Sequence, residues 1–564
     1  MSRFSLLVAV GLFTTTAAAF PAPRYDKTTN CNETNPTNRT NGLPVSVKSW
    51  SSIKPSTNLV WVDCFDDYGD FECAVLQVPL DYSDPSVGTT DVHWVRQTAV
   101  NGTGQDVIYN PGGPGQSGVQ AVIAGGDELI ASLGGQYNIV SFDPRGVNNS
   151  DITLTCFPEN QEAKNVSQDV RGHSIKYQIP ELYQISKAHG ELCTAAIKNT
   201  TAKYASTAAN VLDMVHFTEL QATLNGQNPK EAKIWYFGIS YGTLMGQTLA
   251  QMFPHRLGRV VLDANVNGVE HYAGYVPSTV EDTDKAYAWF FELCAQAGPT
   301  KCAYARTSKT AKEIEIRFRA LLAQLQAEPI IVHQKEGQPS LVTRNDVLLF
   351  VFNQLYSPMY QYPSISRALT ALEDGNVTEY FQVAQASSAR TELNPVAESY
   401  DPSEALGLIT AVDAAGNYPL HNATIYVAAT GVMKNASYYG GEIISRLNSL
   451  INAGLEIIPP ESQHFSGFGK VKTSVPILFV GTTGDPVTPL SSAFRNAAFF
   501  EGAGVLTQNT PGHSMTSVPS SCTLKFVAAY MEDGTLPPRG TICQGDRKPL
   551  VDGPSEVQKR ALFL

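Results

Sequence analysis

The sequence predicts an α/β protein: a mostly parallel sheet with helices on both faces, interrupted by a large helical cap insertion. Three observations predict it. Short apolar runs at 106–110, 137–143, 234–240 and 259–264 alternate with helical stretches such as 205–224. Apolar strands of that length, separated by helices, belong to a sheet buried on both sides. From about residue 266 the alternation stops, and 270–470 reads as long helical patterns broken by Pro and Gly, for example 309–326 and 440–454. A buried strand and loop then return at 475–485, so the α/β unit is split around the insertion.

In chain order, the first element is a targeting segment. Arg3, an apolar stretch from Phe4 to Phe13 and the small residues Ala17 to Ala19 form a secretory signal peptide over 1–19. Residues 20–55 are rich in Asn, Thr, Ser and Pro and read as an irregular leader. The N-terminal half of the α/β unit is expected over 56–265, opening with strands at 73–82 and 92–100 joined by the turn SDPSVG. The cap follows over 266–470 and the C-terminal half over 471–564. No later stretch reaches about 18 uninterrupted apolar residues, so no membrane span is expected.

Composition narrows the function classes. The 564 residues carry a net charge of −12, which argues against nucleic acid and anionic membranes as partners. Nine N-x-S/T sequons, at Asn32, Asn38, Asn101, Asn148, Asn165, Asn199, Asn376, Asn422 and Asn435, suit a secreted protein bearing N-linked glycans. Eight of the nine cysteines fall in close sequential pairs: Cys64/Cys73, Cys156/Cys193, Cys294/Cys302 and Cys522/Cys543. Short-loop disulfides fit an oxidising compartment, although spacing does not fix connectivity. Cys31 is left over. No spacing is C-x-x-C, so zinc and redox roles are poorly supported, and no metal or cofactor is expected.

The chemistry is carried by FGISYGT, which holds G-x-S-x-G as Gly238, Ser240 and Gly242. An apolar strand ends at Phe237 and a helix is expected from near Thr243. Ser240 therefore falls on a tight strand-to-helix turn, the nucleophile elbow. Glycines flank it because side chains there would meet neighbouring backbone. The helix N-terminus behind the serine favours an oxyanion. The plain alternative is an ordinary glycine-rich β–α turn with a buried serine. A serine nucleophile needs a base and an orienting acid, in this architecture in the order Ser, acid, His. Asp485 follows the strand in PILFVGTTGDPVTP. Of ten histidines only His513 lies beyond it, in the loop NTPGHSMTS.

With these pieces in place, the chain resembles secreted α/β-hydrolase serine peptidases of the proline iminopeptidase and tripeptidyl aminopeptidase family, with a TAP-like C-terminal region. The matching stretches are CAVLQVPLDY, YNPGGPGQSG, SFDPRGVNNS, FGISYGT, PILFVGTTGDPVTP, GHSM and the Cys522/Cys543 tail with DGTLPPRGTIC, over roughly 60–545. The iminopeptidases usually have His-Gly-Gly-Pro-Gly where this chain has Pro111-Gly112-Gly113-Pro114-Gly115; the larger secreted members share the Asn-Pro form. The resemblance implies the α/β-hydrolase fold and a secreted exopeptidase that cuts amide bonds at the N-terminal end of short peptides. It implies Ser240 as nucleophile, His513 as base and Asp485 as orienting acid. The N–H groups of Tyr241 and Gly113 would form the oxyanion hole. Glu281, Asp282 and Asp284, near the first cap helix, offer charge for a substrate amino group. Acids at a helix start are more often solvated, so they are not placed in the site.

Other readings differ in substrate or class. The same triad would serve a secreted esterase, lactonase or thioesterase acting on small metabolites. A non-catalytic binding protein on this fold typically lacks a triad member, and here all three are present. Residues 113–118 also spell G-x-G-x-x-G, and Asp143 ends the next strand, where a ribose-binding acid would be sought. Pro111 and Pro114 stiffen that segment, at least two strands precede it, and Arg145 beside Asp143 suggests a structural ion pair. The segment therefore reads as an oxyanion loop.

Overall fold

The computed structural model describes residues 46–157, 160, 162, 164, 178–333, 339–388, 400 and 402–552. The expected signal peptide, most of the expected leader, Cys31, Asn32, Asn38 and Asn165 lie outside these residues. Twelve strands are present among those described: β1 (Val62–Cys64), β2 (Phe71–Pro79), β3 (Thr89–Gln97), β4 (Asp106–Asn110), β5 (Asn138–Phe142), β6 (Ile234–Ile239), β7 (Leu257–Asp263), β8 (Ile330–His333), β9 (Pro339–Val342), β10 (Leu478–Gly484), β11 (Gly504–Pro511) and β12 (Ile542–Gln544). Ten of them form one sheet in the order β1-β2-β3-β5-β4-β6-β7-β10-β11-β12. The β1, β2, β3 and β5 pairings are antiparallel, and every pairing from β5 to β12 is parallel. This is the α/β-hydrolase arrangement.

The sheet is buried on both sides because its strands are apolar at consecutive positions. In β4, Ile108 belongs to one core with Trp94, Phe142 and Tyr236, while its neighbours Val107 and Tyr109 belong to the other with Ile139 and Phe237. Trp94 stacks between Phe142, 4.5 Å away, and Phe217, 3.9 Å away, and so joins strand to helix. That helix, Thr207–Leu224, is started by Ser206, whose Oγ accepts from Ala209 N at 3.1 Å.

Between β7 and β10 the described chain adds helices and one hairpin, β8–β9, which the helical texture of the sequence did not suggest. This region has a core of its own, built on Tyr287, Phe290, Phe318, Tyr362 and Leu369. The cap also recruits a helix from the first half of the chain. Leu182 and Tyr183, on Ile179–Ile197, pack with Leu420, Tyr426 and Leu450. The helical stretch expected over 440–454 stops at Leu447. Strands β1, β11 and β12 are additions to the sequence reading; two of them are three residues long, too short to carry a pattern.

Disulfides join Cys64 to Cys73, Cys156 to Cys193, Cys294 to Cys302 and Cys522 to Cys543. One expectation is corrected. Arg145 does not pair with Asp143. Its guanidinium makes a two-pronged contact with Asp213 on the Thr207–Leu224 helix, at 2.7 and 2.8 Å, and donates to the carbonyls of Leu80 and Pro79. Asp143 is instead held by Ser117, Asn148 and Asn149. Asn148 is consequently a poor glycan acceptor. It is 8% exposed, and its amide nitrogen is engaged with Asp143 at 3.0 Å and Ser117 at 3.2 Å. Asn101, Asn199, Asn376, Asn422 and Asn435 are all exposed.

Two predictions follow from these burials. Asp213→Ala leaves a fully buried guanidinium without its counter-charge and should cost about 3–5 kcal/mol in denaturant unfolding. Glycopeptide mapping of the protein from a eukaryotic host should find Asn148 unoccupied while the exposed sequons carry glycan.

Candidate active site

Ser240 stands between β6 and the helix Tyr241–Met252, with φ 57° and ψ −124°. Only close packing holds a non-glycine residue there. Its N–H donates to the Asp263 carbonyl at 3.1 Å, which ties the turn to the end of β7. Gly242 permits the turn because a Cβ at that position would lie 2.4 Å from the Asn110 carbonyl oxygen. Gly112, at φ +107°, is needed on the opposite side: a Cβ there would lie 2.7 Å from the Ile239 oxygen, 2.8 Å from the Ser240 Cβ and 3.1 Å from the Tyr241 nitrogen. The glycine loop after β4 is thus pressed against the elbow. Gly113, Pro114, Ser240 and Tyr241 line one pocket together. Tyr241 opens its helix, so its N–H is one of the first-turn donors without an intrahelical acceptor.

Asp485 and His513 meet at the C-terminal ends of β10 and β11. His513 Nδ1 is 2.9 and 3.0 Å from the two oxygens of Asp485, and both residues are buried. The turn after Asp485 folds back on its carboxylate: Val487 N and Thr488 N donate to Oδ1 at 3.0 and 2.8 Å, and Thr488 Oγ1 donates to Oδ2 at 2.8 Å. A carboxylate so fixed orients the imidazole with Nδ1 toward the acid and Nε2 away from it. Nε2 is buried and has no hydrogen-bond partner among the described residues. The cap reaches this dyad as well. The Tyr356 carbonyl accepts from His513 N at 3.0 Å, and the Tyr356 ring lies edge-on to the imidazole at 5.0 Å.

A third carboxyl lies in the same region, which sequence reasoning did not single out. Asp263, at the end of β7, is fully buried; its Oδ2 accepts from Met515 N at 2.8 Å and its Oδ1 has no partner. Burial, with Asp485 adding repulsion, outweighs the Met515 N–H and the favourable charge of His513, and pushes this acid up to about 7. A second buried pair, His271 Nε2 to Asp413 Oδ2 at 3.0 Å, links the segment after β7 to the cap helix Pro402–Ala414. Thr207 joins it by donating to Asp413 from N and Oγ1 at 2.7 and 2.6 Å, and Thr207 also touches the Tyr241 hydroxyl. The signal missed in the sequence is spatial: Thr207, His271 and Asp413 lie far apart in the chain.

The acids at the first cap helix take structural partners. Glu281 pairs with Arg495 at 2.8 Å, Asp282 accepts from Leu490 N at 3.0 Å, and Asp284 accepts from Tyr438 N and Tyr439 N at 2.9 and 3.0 Å. Among the described residues no group of His, Cys, Asp and Glu could hold a metal ion, and no helix is long and apolar enough to cross a membrane.

The strained elbow serine faces a pocket, and the Asp–His dyad stands after β10 and β11; this fold and these residue types are those of a serine hydrolase of the α/β-hydrolase class. Residues 458–543 match the family described as TAP-like protein. The chain is 23% identical over 508 residues to the serine protease Hip1 of Mycobacterium tuberculosis, covering 89% of this chain and 91% of that protein. It is 23% identical over 502 residues to the tripeptidyl aminopeptidase of Streptomyces lividans, covering 86% of each. It is also 25% identical over 526 residues to a Mycobacterium tuberculosis protein named carboxylesterase B, covering 90% of this chain and 92% of that one. The chain thus matches the TAP-like family over its C-terminal part and is similar along most of its length to proteins named as a serine protease, a tripeptidyl aminopeptidase and a carboxylesterase.

Asp263 gives a pH prediction. Its folded pKa lies above the ordinary carboxyl value, so its contribution to stability is full below about pH 4 and is lost as pH rises through about 7. Asp263→Asn should match the wild type in melting temperature near pH 4 and exceed it by several degrees at pH 8 in a thermal-melt series.

Proposed function

We propose that the protein is a secreted serine exopeptidase that hydrolyses amide bonds at the N-terminal end of short peptides. Two observations support this reading: the Asp485–His513 dyad at 2.9 Å, and an elbow serine whose backbone is held in an otherwise unfavourable conformation. Relatives named as a serine protease and a tripeptidyl aminopeptidase support the peptide substrate. The four disulfides fit an extracellular setting.

The chemistry runs through the residues named. Ser240 Oγ attacks the scissile carbonyl and its proton passes to His513 Nε2. The carbonyl oxygen, now an anion, is received by the N–H groups of Tyr241 and Gly113. Nε2–H returns the proton to the leaving amine, and an acyl-enzyme remains on Oγ. Water attacks that ester with Nε2 as base, the acid product leaves, and Oγ regains its proton. Asp485 keeps Nδ1 protonated and stabilises the imidazolium. Nε2 has no partner among the described residues, and in this reading it meets Ser240 Oγ once substrate is bound. The cap, closing the pocket with Leu406, Thr410 and Asn448, would admit chain ends and exclude folded protein.

A second reading, an esterase or thioesterase of small neutral substrates, is favoured by one observation: among its described lining residues the pocket beside Ser240 has no carboxylate to meet an ammonium group. Mass spectrometry of a peptide library after incubation, run beside a panel of aryl esters, separates the two. The peptidase reading expects stepwise loss of residues from free N-termini. Turnover of esters with an untouched library would overturn it. Ser240→Ala should abolish both activities and fluorophosphonate labelling. Asp485→Asn should lower kcat by about 10⁴-fold with the fold intact.

A further inference from the structure

The pocket beside Ser240 poses a problem for an enzyme that takes amine-bearing chain ends. Its described lining holds no Asp, Glu, Lys or Arg, and the acids of the first cap helix are engaged elsewhere. His271 reaches the pocket, but its Nε2 is bound to Asp413. What the pocket does contain is unsatisfied acceptors. Asn265 and Asn448 both line it, and the side-chain oxygen of each is buried without a hydrogen-bond partner. Buried polar groups are nearly always paired, so two orphans on one cavity mark a place where a donor is expected.

The orientation of Asn265 is dictated by its surroundings. Its Nδ2 donates to two main-chain carbonyls, Leu262 at 3.0 Å and Val480 at 2.8 Å. Both amide hydrogens are therefore turned toward β7 and β10. A flipped side chain would set an oxygen against two oxygens, so Oδ1 is the atom left without a partner. The residue is 1% exposed and follows Asp263 by two positions, at the strand end that carries the Ser240 N–H contact. Asn448 approaches from the cap side, after the helix Gly441–Leu447.

We propose that Asn265, with Asn448 opposite it, is a substrate-binding site for the amine end of an aminoacyl or peptidyl substrate. The two amide oxygens accept N–H from a primary or secondary amine placed next to the acyl group that Ser240 attacks. This rests on the exopeptidase reading but makes a separate claim. A neutral acceptor pair binds N–H by geometry and, unlike a carboxylate, does not require the amine to be charged.

The test compares matched substrates: alanyl and propionyl p-nitroanilide, which differ only in the amino group, and the same two acyl groups as 4-methylumbelliferyl esters. The wild type should prefer the amino member by at least about tenfold in kcat/KM. Asn265→Leu and Asn448→Leu should each cut the ratio of amino to des-amino kcat/KM by about tenfold or more. Equal losses on both members would make Asn265 a strand tie only and overturn the proposal. So would a wild type with no amino preference. Asn448→Leu decides the matter if Asn265→Leu fails to fold. If only the esters are cleaved, the peptidase reading falls, and the amino preference is still read on the ester pair. Turnover of neither pair overturns both.

Discussion

The backbone of Ser240 is the constraint on which the rest depends. A non-glycine residue at φ 57° and ψ −124° costs of the order of 1–3 kcal/mol, and the surrounding structure must hold it there. The sheet does so. Parallel strands β4 and β7 flank β6, so the glycine loop after β4 and the carbonyl at the end of β7 close on the turn from either side. The same parallel arrangement brings the C-terminal ends of β7, β10 and β11 to one edge. Asp263, Asp485 and His513 come from that edge. The serine's conformation and the position of the Asp485–His513 pair are therefore consequences of one topology.

The electrostatics follow from burial at that edge. Asp485 is stabilised as a carboxylate by three donors from its own turn, besides the imidazole. Asp263 has one donor, and burial raises it. Two aspartates at neighbouring strand ends thus differ in their donors because one turn folds back on its carboxylate and the other does not.

Much of this was legible in the sequence, where local rules operate. The apolar runs marked β4, β5, β6, β7 and β10, and G-x-S-x-G marked the elbow, because burial on both faces and a tight turn each leave a residue pattern. His513 was identifiable by order alone. What was illegible is set by contacts between distant segments. Arg145 has Asp143 two positions away, yet pairs with Asp213, because its side chain crosses to a helix that only the fold places there. Asn148 satisfies a glycosylation pattern but is consumed by the Asp143 network. The acceptors Asn265 and Asn448 carry no motif; their meaning comes from which of their atoms lack a partner.

The Tyr356 carbonyl holds the His513 N–H, and Tyr356 belongs to the cap. The insertion is therefore not a detachable cover over a self-sufficient Asp485–His513 pair. A chimera that exchanged caps between relatives, cut at the ends of the insertion, would inherit a new main-chain anchor for its imidazole along with a new pocket. Substrate range and proton-transfer geometry would then change as a single trait, which ties diversification of this site to paired changes in the cap and the histidine loop.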